Sequence, residues 1–205
     1  MSSETPSLRE DQISIAEWIA DGARILDLGC GDGALLDFLQ RERRVTGYGI
    51  EIAPENIIKC LASGVNVIHS DLDRGLSDFD DNSFDYVIMT QTLQAMRYPH
   101  LVIREMLRVG REGIVTFPNF GHWKCRLQIA RGKMPVTEHL PHTWFDTPNI
   151  HMCTISDFED LCRQEGIEIL QRRAVDTEHR AAFGMRLLPN LLAELALYRF
   201  RRQKP

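Results

Sequence analysis

The feature that most constrains the fold is a glycine-rich segment, residues 24–33, with the sequence R-I-L-D-L-G-C-G-D-G. An apolar run that ends in an acid and continues with alternate glycines predicts a buried strand, a tight turn and a helix. Gly29 and Gly31 can adopt backbone angles that a Cβ forbids, and they let a ligand approach the main chain. Gly33 lets the helix that begins at Ala34 pack closely against the strand. The turn therefore predicts a site for a nucleotide-like ligand.

The spacing of this motif differs from that of the fingerprint that binds dinucleotides. The dinucleotide fingerprint is G-x-G-x-x-G, whereas this chain has D-x-G-x-G-x-G with Asp27 in front. A carboxylate at the mouth of the turn repels phosphates, but it can pair, directly or through water, with the ammonium of an amino acid. Both differences favour S-adenosylmethionine or S-adenosylhomocysteine over a pyrophosphate. A glycine turn that only packs a helix on a strand is the alternative.

Composition bounds the class of protein. The chain has 205 residues, of which 43% are hydrophobic and 26% charged, as expected for one globular domain spanning residues 1–205. No apolar run is long enough to cross a bilayer, and the first residues lack a basic and then apolar signal sequence. The five cysteines form no C-x-x-C pair and are expected to be reduced packing residues. We therefore expect a cytoplasmic protein without a membrane partner.

Charge gives no general reason to expect nucleic acid as a partner, because the net charge is −5. Residues 171–205 differ, with eight Lys or Arg against three acids. A solvated final strand with charged edges explains this excess better than a patch that binds RNA or a protein.

Strands and helices alternate along the rest of the chain. Apolar runs predict further strands at residues 45–50, 65–69, 114–117 and 167–170, a strand that follows an acidic turn within 80–91, and a last strand within 193–201. Apolar residues at helical spacing predict helices at residues 11–20, after Pro54, at 99–109 and from a capped start at Thr154. This alternation predicts an α/β fold with a mostly parallel sheet and helices on both faces.

Polar residues follow three of the predicted strands, at the edge where open α/β sheets bind ligands. Glu51 ends the second strand, 18 residues after Gly33, where it can accept hydrogen bonds from both ribose hydroxyls. Asp71 is a candidate for the adenine amino group and the backbone N–H of Leu72 for a ring nitrogen, although Asp71 serves equally well as a cap or turn residue. Gln91 ends the fourth strand and completes the candidate set.

Residues 118–153 interrupt the alternation. A connection of roughly thirty-five residues is longer than usual and predicts a lid or docking insertion. His139 and His142 have a spacing that could bind metal on a helix, but Leu140 and Pro141 between them favour an extended loop, so no metal is expected.

Aromatic residues of the same insertion are candidates for a partner-facing surface, namely Trp123, Trp144 and Phe145. Core packing explains them equally well.

Three stretches together carry a family resemblance, residues 25–33, 117–123 (F-P-N-F-G-H-W) and 144–151 (W-F-D-T-P-N-I-H). The chain resembles class I S-adenosylmethionine-dependent methyltransferases and, more narrowly, the MetW family of methionine biosynthesis proteins. The resemblance implies a Rossmann-like, seven-stranded sheet with one antiparallel strand near an edge. It also implies a role in making methionine, alongside a homoserine O-acyltransferase that such proteins bind and support. The cofactor contacts that it implies are Asp27, Gly29, Gly31, Gly33, Glu51, Asp71, Leu72 and Gln91.

The sequence names no methyl acceptor. Methyl transfer from a sulfonium depends mainly on alignment, with a base only where the acceptor must lose a proton. Residues 89–92 read M-T-Q-T rather than the N-P-P-Y type of segment that holds a nitrogen acceptor. His122 is a candidate base, but a hydrogen-bonding role in the loop is the favoured explanation, so no catalytic residue is assigned. Three hypotheses follow: a regulator that senses its ligand, a small-molecule methyltransferase, and a structural subunit with vestigial cofactor binding.

Overall fold

Seven strands form one sheet in a computed structural model that describes residues 8–175 and 187–203. The strands are β1 Arg24–Leu28, β2 Thr46–Glu51, β3 Val67–His69, β4 Phe84–Thr90, β5 Gly110–Pro118, β6 Ile167–Val175 and β7 Leu195–Arg202. Their order is β3-β2-β1-β4-β5-β7-β6, and β7 runs antiparallel to both of its neighbours. The predicted fold, including the one antiparallel strand near an edge, is confirmed.

Helices cover both faces of this sheet. Their bounds are α1 Glu10–Ala16, α2 Ala34–Arg43, α3 Pro54–Ala62, α4 Pro99–Val109, α5 Trp123–Ala130, α6 Ile155–Gln164 and the single turn α7 Pro189–Leu192. Two short 3₁₀ helices span Leu72–Arg74 and Leu93–Ala95. Helix α1 is shorter than predicted because the chain turns after Ala16, and Trp18 in that turn is buried in the core.

Alternate residues of the central strands enter two separate hydrophobic clusters. Leu26 and Leu28 of β1 pack in one cluster with α4 and α6, whereas Ile25 packs in the other with α1 and α2. Since side chains alternate across a strand, both faces of β1 are buried, as expected for a parallel strand beneath helices on each side.

Local sequence signals account for where several helices begin. Pro54 occupies the first turn of α3, where its missing N–H costs no helical hydrogen bond. Thr154 caps α6: its Oγ1 accepts a hydrogen bond from the Asp157 backbone N–H at 3.2 Å, and Asp157 Oδ2 accepts one from the Thr154 N–H at 3.1 Å. The predicted capped start is confirmed.

The sheet order places the glycine turn at a topological switch point. Strand β1 lies between β2 and β4, and the connections leaving β1 and β4 run to opposite sides of this junction. The carboxyl ends of β1, β2 and β4 therefore meet at one edge of the sheet. The insertion, residues 118–153, leaves the same edge after β5.

The last strand, β7, is largely buried between β5 and β6, so the expectation of a solvated final strand is wrong. Basic residues of β6 and β7 nevertheless pair with carboxylates. The pairs are Arg172–Glu159 at 2.7 Å, Arg173–Glu17 at 2.6 Å, Arg199–Glu112 at 2.5 Å and Arg201–Glu168 at 2.8 Å. The rest of the basic stretch, at residues 176–186 and 204–205, lies outside the described residues, as do residues 1–7, on which the absence of a signal sequence was judged.

The five cysteines are unpaired, and four of them are buried. Within residues 8–175 and 187–203, no helix has the length and apolar character that a membrane span requires.

Candidate functional site

The three glycines of the turn all have positive φ angles, of 72°, 58° and 80° for Gly29, Gly31 and Gly33, but they are needed for different reasons. A Cβ on Gly29 would lie 2.8 Å from Thr92 Oγ1, and one on Gly33 would lie 2.9 Å from Cys60 Sγ on α3. Gly33 therefore permits close packing against α3, not against the strand as the sequence suggested. A Cβ on Gly31 would meet no atom within 4 Å, so Gly31 faces open space.

Glu51 points at this turn from the end of β2. Its Oε2 accepts a hydrogen bond from the Gly31 backbone N–H at 2.8 Å, and its Oε1 accepts two more, from Ile52 and Ala53, each at 2.8 Å. A carboxylate has about four acceptor positions, so three backbone donors leave one for a ligand. Glu51 can thus take one ribose hydroxyl directly, whereas both predicted hydroxyls would require it to release a backbone N–H.

Asp27 has a buried carboxylate oxygen without a hydrogen-bond partner among the described residues. Its side chain is 1% exposed, and Oδ1 has no hydrogen-bond partner in the described part of the chain. Burial raises the pKa of Asp27 to about 7, the negative charge of Glu51 adds to the increase, and the positive charge of Arg9 opposes it. A buried polar atom without a partner is costly, so this oxygen is suited to a cationic donor on a ligand.

Asp71 and Leu72 lie where the chain leaves β3. Asp71 Oδ1 accepts a hydrogen bond from the Asp73 backbone N–H at 3.0 Å, which is the turn role that the sequence left open. Its second oxygen is not used in this turn. Leu72 lines a cavity of about 420 Å³, together with Leu28 of β1 and residues of α4.

Gln91 lies at the same edge, but its side chain is engaged within the protein. Its backbone has φ 50°, and its Nε2 donates a hydrogen bond to Asp11 Oδ2 at 3.2 Å. Asp11, 1% exposed, also accepts from Arg9 Nε at 3.0 Å and lies 3.5 Å from Thr116 Oγ1. Helix α1 is thus a wall of the site, which the sequence analysis missed. The available signal was an acid, Asp11, four residues before Ile15 on the apolar face of the helix.

The insertion presents aromatic side chains to solvent. Trp144 and Phe145 are each 74% exposed and form an edge-to-face pair with ring centroids 5.6 Å apart, and Trp123 is 46% exposed. The core-packing alternative is therefore wrong for Trp144 and Phe145.

Backbone hydrogen bonds join the insertion to the segment that follows β4. The Gln94 carbonyl accepts hydrogen bonds from Ile150 N at 2.8 Å and His151 N at 2.9 Å. Gln94 Nε2 donates to the Gln91 carbonyl at 2.7 Å. The insertion and the candidate ligand residue Gln91 are therefore two hydrogen bonds apart.

Asn119 anchors the start of the insertion and explains the F-P-N-F-G segment. Its Nδ2 donates hydrogen bonds to the carbonyls of Asn190 at 3.0 Å and Ala193 at 2.8 Å. Its Oδ1 accepts from the backbone N–H groups of Gly121 at 3.0 Å and Ile155 at 3.2 Å. This buried amide joins three chain segments, a structural role that a single sequence does not reveal.

His122, the candidate base, is buried beside Glu194, with its Nε2 3.9 Å from Glu194 Oε1. Burial lowers the pKa of His122, the charge of Glu194 acts in the opposite direction, and Lys124 adds to the decrease. Its observed neighbours therefore belong to the β7 side of the sheet rather than to the glycine turn.

Neither of the paired histidines of the insertion lies on a helix: His139 is in a tight turn closed by hydrogen bonds between Thr137 and Leu140, and His142 is in a bend. The expectation of an extended loop is therefore wrong at His139. Among the residues described, no group of three or more His, Cys, Asp or Glu side chains is arranged to hold a metal ion.

Comparison with known proteins agrees with this architecture. The chain is 16% identical to an S-adenosylmethionine dependent methyltransferase from Mesorhizobium loti, with a TM-score of 0.68 over 93% of this chain and 96% of that one. It is 28% identical over 156 residues to a ubiquinone biosynthesis O-methyltransferase from Nitrosococcus oceani, covering 72% of this chain and 64% of that protein. The fold is that of the class I methyltransferases.

A narrower likeness covers almost the whole chain. The model of the family described as methionine biosynthesis protein MetW matches residues 9–200. A protein named bifunctional methionine biosynthesis protein MetXA/MetW, from Rhodopirellula baltica, is 36% identical over 207 residues, covering 96% of this chain. The chain spans 33% of the length of that relative. This chain belongs to the MetW family of methionine biosynthesis proteins.

Proposed function

We propose that this protein binds S-adenosylmethionine or S-adenosylhomocysteine at the glycine turn and, through its insertion, supports or regulates a homoserine O-acyltransferase of methionine biosynthesis. The observation that carries the ligand half is the unpartnered Oδ1 of buried Asp27, near the end of the strand that leads into the turn where Gly31 faces open space. A ligand with an ammonium group would satisfy that oxygen, and the absence of a Cβ at Gly31 leaves room for it.

The residues around the turn fit such a ligand. Asp27 would hold the ammonium group and Glu51 a ribose hydroxyl, while Asp71 and Leu72 would lie at the adenine. The main chain at Gly29 and Gly31 would approach the ligand, Gly33 would fix the turn against α3, and Gln91 would close the site through α1. When bound, S-adenosylmethionine supplies an activated methyl group, but a sensor needs only its presence.

Support for the acyltransferase partner comes from the MetXA/MetW relative. The region similar to this chain accounts for a third of the length of that protein. The name of the protein includes a second part, MetXA. We infer that this second part corresponds to the homoserine O-acyltransferase that the family resemblance implies. A chain that lacks this part would associate with a separate acyltransferase.

The insertion is the surface that best suits such an association. Exposed aromatic side chains such as Trp144 and Phe145 are the residue types enriched at the centres of protein interfaces. Gln94 donates a hydrogen bond to Gln91 and accepts two from the insertion, and these bonds would connect the proposed ligand and partner sites. Through such a connection, a product derived from methionine would act on an early enzyme of the same route.

Calorimetry with S-adenosylmethionine and S-adenosylhomocysteine tests the ligand half. We expect Gly31→Val to weaken binding at least 100-fold, because a branched side chain would fill the open face of the turn. Gly132→Val is the matched control, since Gly132 also has a positive φ, of 76°, and no atom within 4 Å of a built Cβ. Wild-type affinity in Gly31→Val would refute this site.

An acyltransferase assay tests the partner half. The rate of homoserine acylation would be measured with and without this protein, and with and without S-adenosylmethionine. We expect the rate to change on adding the protein and the ligand to alter that change. An unaltered rate under all conditions would refute the regulatory function.

A small-molecule methyltransferase is the second candidate, favoured by the 28% identity to a ubiquinone biosynthesis O-methyltransferase. The same reaction mixtures, analysed by mass spectrometry with labelled methyl donor, separate the two. Methylation of a defined acceptor at a useful rate would replace the regulatory function with this one.

A further inference from the structure

We propose that a cavity between helix α4 and the connection from β3 to β4 binds an apolar organic acid, as a second ligand besides the one at the glycine turn. The apolar walls of the cavity would hold the carbon skeleton, and the Arg74 guanidinium would hold the acid group. This inference goes beyond the proposed function and does not depend on it, because neither the glycines of the turn nor Glu51 or Gln91 line the cavity.

The cavity lies where one connection of the sheet is too short to cover its face. The connections from β1 to β2, from β2 to β3 and from β4 to β5 each contain an α-helix, whereas residues 70–83, between β3 and β4, form only a 3₁₀ helix and turns. Leu76 of this connection packs in the same hydrophobic cluster as Leu28 and α4. The face of the sheet beside α4 is therefore only partly covered, at a place where a regular α/β layer would have a helix.

The walls of the cavity are apolar. Its volume is about 420 Å³, within the range of roughly 300–1,000 Å³ that is typical of sites for small molecules. Leu28, Leu76 and Val102 line it and are buried, whereas Tyr98 and Leu101 line it while 58% and 44% exposed. Large apolar side chains that remain exposed around a cavity are typical of a ligand groove. An apolar ligand would remove them from water.

The cavity extends away from the carboxyl ends of the strands. Tyr98 directly precedes α4, and Glu105 lies seven residues further along the chain, a distance of about 10 Å on a helix. Leu72 is the one residue that the cavity shares with the proposed ligand site. A ligand at the glycine turn would therefore adjoin the cavity without filling it.

Arg74 gives the cavity a preference for an anion. The other charged side chains that line it are each paired with an opposite charge: Asp73 with Arg97 at 3.8 Å, Arg104 with Glu165 at 2.5 Å and Glu105 with Arg108 at 2.9 Å. Within residues 8–175 and 187–203, the Arg74 side chain forms no ion pair. A guanidinium binds a carboxylate through two parallel hydrogen bonds, so a carboxylic acid suits this position.

Two probes that share one ring system and differ in charge test this site by calorimetry, 2-naphthoate and its neutral amide, 2-naphthamide. We expect 2-naphthoate to bind with a dissociation constant of about 1 mM or lower. Its affinity should exceed that of the amide at least about tenfold, because only the carboxylate forms charge-assisted hydrogen bonds with Arg74. In Arg74→Gln the two affinities should become nearly equal, with that of the amide unchanged.

Arg131→Gln is the matched control for the charge. Arg131 is an exposed arginine at the end of α5, outside the cavity. This variant should keep the preference of the wild type for 2-naphthoate.

A second variant tests the apolar wall. Leu101→Ser should weaken the binding of both probes by a similar factor, about tenfold, because it removes apolar surface that either ring would bury. Leu127→Ser is its control, since Leu127 on α5 is 41% exposed, close to the 44% of Leu101, but does not line the cavity.

Calorimetry in the presence of S-adenosylmethionine separates the cavity from the glycine turn. We expect the affinity for 2-naphthoate to change by less than about twofold. Displacement of 2-naphthoate by S-adenosylmethionine would show that the cavity is only a part of the site at the glycine turn and would overturn the inference. Absence of 2-naphthoate binding in the wild type, or an unchanged preference for the carboxylate in Arg74→Gln, would also overturn it. A protein that binds 2-naphthoate but not S-adenosylmethionine would refute the proposed function and support this inference.

Discussion

The glycine turn and the insertion lie at the same edge of the sheet but are built in opposite ways. At the turn, buried carboxylates such as Glu51 hold the main chain, and one oxygen of Asp27 is left without a partner. In the insertion, Trp144 and Phe145 extend into solvent. Enclosed polar groups around a bare main chain suit a small ligand, whereas an exposed aromatic surface suits a protein.

Exposed apolar side chains are concentrated in the insertion. Nine of the nineteen large, exposed apolar side chains among the described residues belong to it, although it spans less than a fifth of the chain. They are Trp123, Leu127, Ile129, Met134, Val136, Trp144, Phe145, Ile150 and Met152. Isolated apolar residues are normal on a protein surface, so we expect a concentration of this kind to take part in contact with a partner.

The largest expected effect is on the free energy of unfolding, which the buried Asp27 carboxylate lowers when it is charged. The pKa of Asp27 is about 7 in the folded chain, above its ordinary value of 3.8, so its contribution to stability is complete below pH 3.8 and is lost as pH rises through 7. Above pH 7 the buried charge costs up to roughly 4 kcal/mol of unfolding free energy. Asp27→Asn should therefore raise the melting temperature of the ligand-free protein at pH 8, and the gain should shrink toward pH 5.

Thermal unfolding of Asp27→Asn and of a control, Asp71→Asn, at both pH values checks this cost. The control alters a partly exposed carboxylate of the same edge and should leave the melting temperature nearly unchanged. A lower melting temperature for Asp27→Asn at pH 8 would show that Asp27 stabilises the fold and is not held ready for a ligand.

The next effect tests the exposed surface. Replacing Trp144 and Phe145 together by Ser should weaken association with the acyltransferase at least 100-fold, because central aromatic residues carry much of the energy of an interface. The affinity for S-adenosylmethionine should not change. Biolayer interferometry and calorimetry measure the two affinities.

The matched control for this surface is the double variant Ile58→Ser and Leu61→Ser on α3, whose side chains are similarly exposed. It should associate like the wild type. Equal losses in the two double variants would remove the distinction between the insertion and the rest of the surface.

A third effect distinguishes the two regions by pH. Protonation of Asp27 removes the charge that we propose pairs with the ligand ammonium, so the dissociation constant for S-adenosylhomocysteine should rise about tenfold from pH 8 to pH 6. Asp27→Asn should bind weakly at both values. Calorimetry between pH 6 and pH 8 measures how the dissociation constant depends on pH. A dissociation constant of the wild type that does not change with pH would show that Asp27 takes no part in ligand binding.

The smallest effect concerns communication between the regions. We expect S-adenosylmethionine to change the acyltransferase affinity by about fivefold, near the lower end of typical coupling. Gln94→Ala removes the side-chain hydrogen bond to Gln91, so the ratio of the acyltransferase affinities with and without S-adenosylmethionine should come close to one. The measurement is the acyltransferase affinity with and without ligand in both proteins. A wild-type ratio in the variant would exclude this connection.

The sequence by itself determined the sheet, the glycine turn and the acids at its edge. These features follow from local patterns: apolar runs, glycines at fixed spacing, and caps such as Thr154 ahead of Asp157. Such patterns depend only on residues close together in the sequence, so the patterns can be recognised without knowledge of the tertiary structure.

Only the tertiary structure decided which groups lack partners and which side chains remain exposed. Asp11 reaches Gln91 across 80 residues of sequence, and Gly33 packs on α3 instead of on β1. The exposure of Trp144 and the unpartnered oxygen of Asp27 depend likewise on how distant segments come together. Burial and pairing are properties of the whole packed chain. This is why local sequence could predict the residues of the site but not which of their polar atoms lack a partner.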